Sequence, residues 1–217
     1  MLLPTKFYNW IKQEKYRYYL IGTFFLFLQL LVFIENHHAQ RFGHFFWFCN
    51  HTPLIFALAF FLRKKQLIKG IINIGFLIQF VWAIDFLSYG ISGFTVLGVT
   101  QYVFNGGMGI YTLVPIIVHL FSTNIALIST YEVKPKKITL LYSAVYILLL
   151  FSLTLTYAPP EKNINCIYFI CTLEKFSIPG YFYLWPILIF LILALPTQGI
   201  QYLIYKHSKR KTHNSLK

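Results

Sequence analysis

Six long apolar runs, separated by short polar stretches, fix what this chain can fold into. They fall at Tyr18–Glu35, His44–Leu62, Leu67–Tyr89, Gly109–Tyr131, Ile138–Ala158 and Tyr181–Tyr205. About 20 residues, at about 1.5 Å each, cross the ~30 Å hydrocarbon core of a bilayer. Each run is therefore of spanning length. Inside lipid every backbone N–H and C=O must pair within its own segment, which makes helices the natural form. The 217 residues are 57% hydrophobic and 12% charged, against about 25% charged in soluble domains. That composition excludes an ordinary soluble enzyme, a disordered tail and a disulfide scaffold. The expected fold is all-α, a polytopic transmembrane helical bundle of six spans over residues 18–205. An interfacial amphipathic segment (1–17) precedes it and a basic tail (206–217) follows.

Charge placement sets the expected orientation. Sixteen of the 19 Lys and Arg lie in the N-terminal segment, the second and fourth loops and the C-terminal tail. The other side holds three, Arg41, Lys162 and Lys175. Cytoplasmic loops carry the excess of Lys and Arg, so both termini are expected on the cytoplasmic side, in the cytoplasmic membrane of a prokaryote. In a soluble protein a net charge of +13 would point to nucleic acid. Here the charges sit between apolar spans, and the expected partner is the lipid bilayer, with a lipid as possible substrate. Phe7, Trp10 and Ile11 share one face of the first segment, and the first run behind it reads as a retained signal-anchor span. The stretch Ile91–Asn105 is apolar but short and interrupted by Gly93 and Gly98. A seventh span there would put the basic tail outside, so it reads as a re-entrant, interfacial or surface segment.

Ionisable residues at membrane depth cost about 2.5–3.5 kcal/mol each on insertion scales, which makes them functional candidates. In this topology they cluster toward the outer side: Glu35 to His38, His44, Cys49 to Thr52, Asp85 with Gln79 deeper, and His119. Three chemistries compete. In the first, Cys49 is a nucleophile, His119 its base, and Asp85 or Asn50 the orienting group. At about 1.5 Å per residue, Cys49 lies about 7 Å below the outer boundary and His119 about 10–15 Å. In the second, His37, His38, His44, His51, Glu35 and Asp85 hold a divalent metal. No tight ligand spacing appears, and neither a metal nor a cofactor is expected. The third is a polar pathway, with Pro186 and Pro196 kinking the last span and Gln198 and Gln201 lining it. Cys166 and Cys171, in an outer loop, can close a small disulfide ring. Asn50-His51-Thr52 matches a glycosylation sequon at a depth where it would not be used.

The order of several motifs resembles the YwaF-like integral membrane family, which includes the transmembrane-protein-164 acyltransferases. The matching pieces are the Cys in WFCNHTPLIFALAFFLRKK, then Gly75, Gln79 and Asp85 in GFLIQFVWAIDF. His119 in IIVHLF, Asn163 to Asn165 in NIN, and the entry GYFYLWP complete the set. The resemblance implies Cys49 as acyl-accepting nucleophile and His119 as its base. Two positions depart from the family pattern: Trp47 stands where a His precedes the Cys, and Cys166 follows Asn165 where a Tyr would stand. The expected function is thus a lipid acyltransferase or hydrolase. Its catalytic residues would be Cys49, His119 and Asp85, and its substrate-binding residues Asn50, Thr52, Gln79 and Asn165. The alternative is a non-catalytic transporter, ligand-binding bundle or membrane-complex partner.

Overall fold

A computed structural model describes residues 13–38, 40, 42–105, 110–171 and 178–214. Phe7, Trp10 and Ile11 of the expected interfacial segment lie outside these residues, as do Arg41, Gly109 and Lys175. Helices and the loops between them make up the described residues, with no strand among them: α1 (Glu14–His38), α2 (Phe48–Phe61), α3 (Lys65–Ser92), α4 (Gln101–Asn105), α5 (Ile110–Thr130) and α6 (Lys137–Tyr157). The last run forms α7 (Tyr181–Ile189) and α8 (Leu195–Asn214), joined by a π turn over Phe190–Ala194. Five helical stretches are long and apolar enough to cross a membrane. The protein is a membrane-embedded helical bundle.

Sequence period explains the packing. On α1 the buried residues are Tyr18, Gly22, Phe25, Leu28, Val32 and Asn36, spaced three and four apart along one stripe. That stripe meets α2 through Phe25–Phe56 and Tyr18–Phe60 ring contacts at 5.0 and 5.3 Å. Faces turned away from it carry exposed Phe27, Leu30, Leu58, Leu148 and Ile192, an apolar exterior suited to lipid. The long α3 packs against α2, α5, α6 and α8 and is buried without interruption from Ile68 to Gly75. Close approach there needs glycine: a Cβ on Gly70 would stand 2.8 Å from the Tyr142 Cβ and 3.0 Å from the Thr139 carbonyl.

The loops gather at two ends. At the basic end Glu14 pairs with Lys65, and Gln66 donates to the Lys134 carbonyl and accepts from the Lys136 N–H. At the opposite end lie the 3-10 turns Phe42–Phe46, Pro160–Lys162 and Ile164–Cys166. The disulfide Cys166–Cys171 is formed there, and we call this the disulfide end.

Two elements depart from the sequence expectation. The run His44–Leu62 is a 14-residue α-helix preceded by a 3-10 turn, because Asn165 captures the Phe48 N–H and starts the helix there. The stretch 91–105 completes α3, turns at Gly93 in the left-handed region (φ 73°), and ends in the short α4. Ile91, Phe94 and Val96 are exposed along it, while Thr100 and Val103 are fully buried. In the last run, Pro196 has no N–H and its ring would strike the carbonyl four residues back. The π turn ahead of it widens the helix, so that the Leu195 N–H reaches the Phe190 carbonyl five residues back.

Candidate functional site

The head of α2 is held by polar side chains from two neighbours, Asn165 of the disulfide-end loop and Gln29 of α1. Asn165 accepts from the Phe48 N–H (2.8 Å) and donates to the Phe46 carbonyl (2.7 Å) and to Thr154 Oγ1 (3.0 Å). Its own carbonyl accepts from Trp185 Nε1 at 3.0 Å. Asn165 thus spends its whole side-chain amide on tying α2, the 3-10 turn before it and α6 together, and its backbone carbonyl adds α7. Its φ of 57° is in the left-handed region, which Asn tolerates better than most residues. Asn50 donates to the His44 carbonyl (2.7 Å) and accepts the Cys49 thiol at 3.6 Å. Thr52, fully buried, donates to the Phe48 carbonyl at 2.5 Å. The amide of Gln29 reaches both the Asn50 carbonyl (2.9 Å) and the Leu54 N–H (3.0 Å). An unbroken helix would join those two groups to each other. Next to them Pro53 supplies no donor for the Cys49 carbonyl. The backbone around Cys49 is therefore supported from α1 rather than by the helix alone. Cys49 itself is free and partly exposed.

His119 lies on α5, four residues after Pro115, and is 8% exposed. Its Nδ1 bonds the Pro115 carbonyl at 2.7 Å. A carbonyl only accepts, so the neutral ring carries its proton on Nδ1 and keeps the Nε2 lone pair. The ring lies flat against Trp82 of α3, with centroids 4.4 Å apart and planes at 15°. One turn deeper, Gln79 Oε1 accepts from the Thr123 N–H (3.2 Å) and Oγ1 (2.6 Å). Gln79 Nε2, Trp82 Nε1 and Ser122 Oγ are buried with no hydrogen-bond partner. Each buried polar group left unpaired costs about 1–3 kcal/mol.

Cys49 and His119 lie on neighbouring helices, and the head of α2 is level with Thr123, one turn deeper than His119: a Cβ on Gly75 would meet both the Phe48 ring and the Thr123 methyl. Cys49 also heads the stripe Cys49, Pro53, Phe56, Phe60, which faces α1 through Phe56 and Phe60. α5 packs against both α1 and α2. No hydrogen bond joins thiol and imidazole: the thiol bonds Asn50 and the ring bonds the Pro115 carbonyl.

Asp85 is placed apart from this pair. Its Oδ1 accepts from the Leu97 (2.7 Å) and Gly98 (3.3 Å) N–H groups. Its Oδ2 accepts from the N–H (3.0 Å) and Oγ1 (2.9 Å) of Thr100. Four donors from one loop occupy the carboxylate, which is fully buried. The loop is drawn back to a level two turns below the end of α3. From it an aromatic series runs inward: Phe104 on Phe86 (5.2 Å), Phe86 on Trp82 (5.2 Å), Trp82 on His119.

A second polar cluster joins Gln198 and Gln201, expected to line the last span, to Lys69, Asn73 and Ser143, which the sequence did not single out. Lys69, fully buried near the basic end, donates to Gln201 Oε1 at 3.1 Å. Gln201 Nε2 donates to Asn73 Oδ1 (2.6 Å), and Asn73 Nδ2 to Gln198 Oε1 (2.9 Å) and Ser143 Oγ (3.1 Å). Lys69 follows Arg63, Lys64 and Lys65 and reads as one more loop charge. The available signal was Asn73, one turn further along the same face. Among the described residues no three His, Cys, Asp or Glu side chains gather closely enough to hold a metal ion. Comparison with family models, with curated proteins and with solved structures finds no match to this chain.

Proposed function

We propose that this protein is a six-span membrane protein, both termini cytoplasmic, which transfers or hydrolyses the acyl group of a lipid ester in its outer half. The sixth crossing would be the 3-10 turn Phe42–Phe46 with α2, about 10 Å and about 21 Å long, together the thickness of the hydrocarbon core. The observation that carries the chemistry is the fixed ring of His119, its Nε2 lone pair uncommitted, on a helix that packs against the one bearing the free thiol of Cys49.

His119 Nε2 would take the Cys49 proton as sulfur attacks the ester carbonyl. The carbon–oxygen bond then breaks and the proton returns to the leaving alcohol, which leaves a thioester. An acceptor hydroxyl or water next attacks that thioester, giving its proton through His119 back to sulfur. The product is a new ester or a free acid. Asp85 and Asn165 act at one remove, by holding the loop 93–100 and the head of α2. The YwaF-like resemblance leads to the same two residues.

The test is the intact mass of the protein purified in mild detergent and incubated with a lipid extract, with and without neutral hydroxylamine. The expected result is an acyl-sized gain that hydroxylamine removes and Cys49→Ala lacks. An unmodified mass would move the weight to a second reading, a bundle that binds or moves its ligand without chemistry. That reading is favoured by the absence of a thiol–imidazole hydrogen bond.

A further inference from the structure

The hydrogen-bond inventory around His119 is unbalanced, and the imbalance has a sign. Gln79 is 2% and Trp82 5% exposed. Thr123 uses Gln79 Oε1 twice, which turns the NH₂ end of the amide away from Thr123 and leaves it without a partner. The Trp82 N–H, one turn along the same face of α3, is unpaired as well. Ser122 Oγ, on the α5 face shared with His119, is a third. Lipid offers these groups no acceptor, because its interior has no water. A surplus of N–H donors calls for a ligand that brings an oxygen and no hydrogen. No basic side chain bonds any of these atoms among the described residues, so a neutral acceptor fits better than an anion.

We infer that Gln79 Nε2 and Trp82 Nε1 form the seat for the carbonyl oxygen of a neutral acyl ester, beside the His119 ring. The inference rests on the proposed function for its ligand class. During attack on that carbonyl, the same two donors face the oxygen as it becomes an oxyanion, where hydrogen bonds strengthen. Trp82 also positions His119 through their stacked rings. Neither role can be read from residue spacing, since Trp82 in FVWAIDF looks like any interfacial aromatic.

The experiment compares binding of 1-monopalmitoylglycerol and its ether analogue 1-O-hexadecylglycerol, which keeps chain and hydroxyls but lacks the carbonyl. It uses the full chain in lipid nanodiscs with Cys49→Ala, so that no turnover consumes the ester. The ester is expected to bind at least about fivefold more tightly, the value of about 1 kcal/mol for a neutral hydrogen bond. Adding Trp82→Phe, which keeps the ring stack, or Gln79→Met should each lose about fivefold for the ester and leave the ether unchanged. Equal affinity for ester and ether, no measurable ester binding, or equal losses for both ligands overturns the seat. The two ideas fail separately. Ester preference without a hydroxylamine-labile adduct keeps the seat and removes the enzyme; the adduct without ester preference does the reverse.

Discussion

Asp85, Asn165, Gln79 and Trp82 differ in whether the protein uses up their polar atoms. Asp85 gives four acceptor sites to one loop, and Asn165 gives its amide to two backbone groups and a hydroxyl. Gln79 and Trp82 each keep an N–H over. We predict that Asp85→Asn lowers stability by about 3 kcal/mol, because an amide turns its NH₂ toward two of the four donors and the lost bonds are charge-assisted. The thermal midpoint in detergent should drop, and the amides of 97–100 should exchange faster while mid-α3 stays protected. An unchanged midpoint would mean that the carboxylate does not hold the loop. The sequence singled out Asp85, Gln79 and Asn165 by type and place, but not Trp82. Their partners were not legible, because Leu97 to Thr100 meet Asp85 through a turn whose path no spacing rule fixes.

At the scale of elements the apolar runs locate the helices to within a few residues, since hydrophobic length is itself the signal. The start of α2 is the exception. It depends on Asn165, which is 117 positions from the Phe48 N–H it captures. Interhelix contacts also depend on what faces each glycine. A Cβ on Gly70 would meet the Thr139 carbonyl and Ser143 N, which are backbone, whereas one on Gly22 would meet ring carbons of Phe61 at 2.8 Å. A ring can swing aside and a helix backbone cannot. Gly70→Ala should therefore cost about 2 kcal/mol and Gly22→Ala under about 1 kcal/mol, within the usual range for overpacking. Thermal unfolding of the two variants side by side checks the order, and the reverse order would show that α3 and α6 separate easily.

Across the whole molecule, the separation of charge between two ends was the strongest message of the sequence. The structure gathers those segments physically: Glu14 meets Lys65, and Gln66 reaches both Lys134 and Lys136. The proposed orientation, both termini cytoplasmic, predicts that Glu161→Cys, placed in the Cys49→Ala chain, reacts with a membrane-impermeant maleimide on intact cells. Lys209→Cys should react only after lysis, and the opposite pattern would invert the orientation. Lys69 escaped notice because in sequence it belongs to the charges that mark the basic end.

The π turn over Phe190–Ala194 makes the last run a matter of phase. Each residue advances a helix by about 100°, and the turn holds one residue more than an α-helix would. Gln198 and Gln201 lie beyond it and meet Asn73 and Lys69. Removing a single apolar residue from 190–194 would change neither the polarity of the run nor its ability to span. It would rotate everything after it, carry both glutamines toward the lipid, and leave the Lys69 ammonium without its acceptor. In this protein a one-codon deletion among interchangeable leucines and isoleucines would do more damage than most substitutions there. Length within that stretch is under tighter constraint than composition.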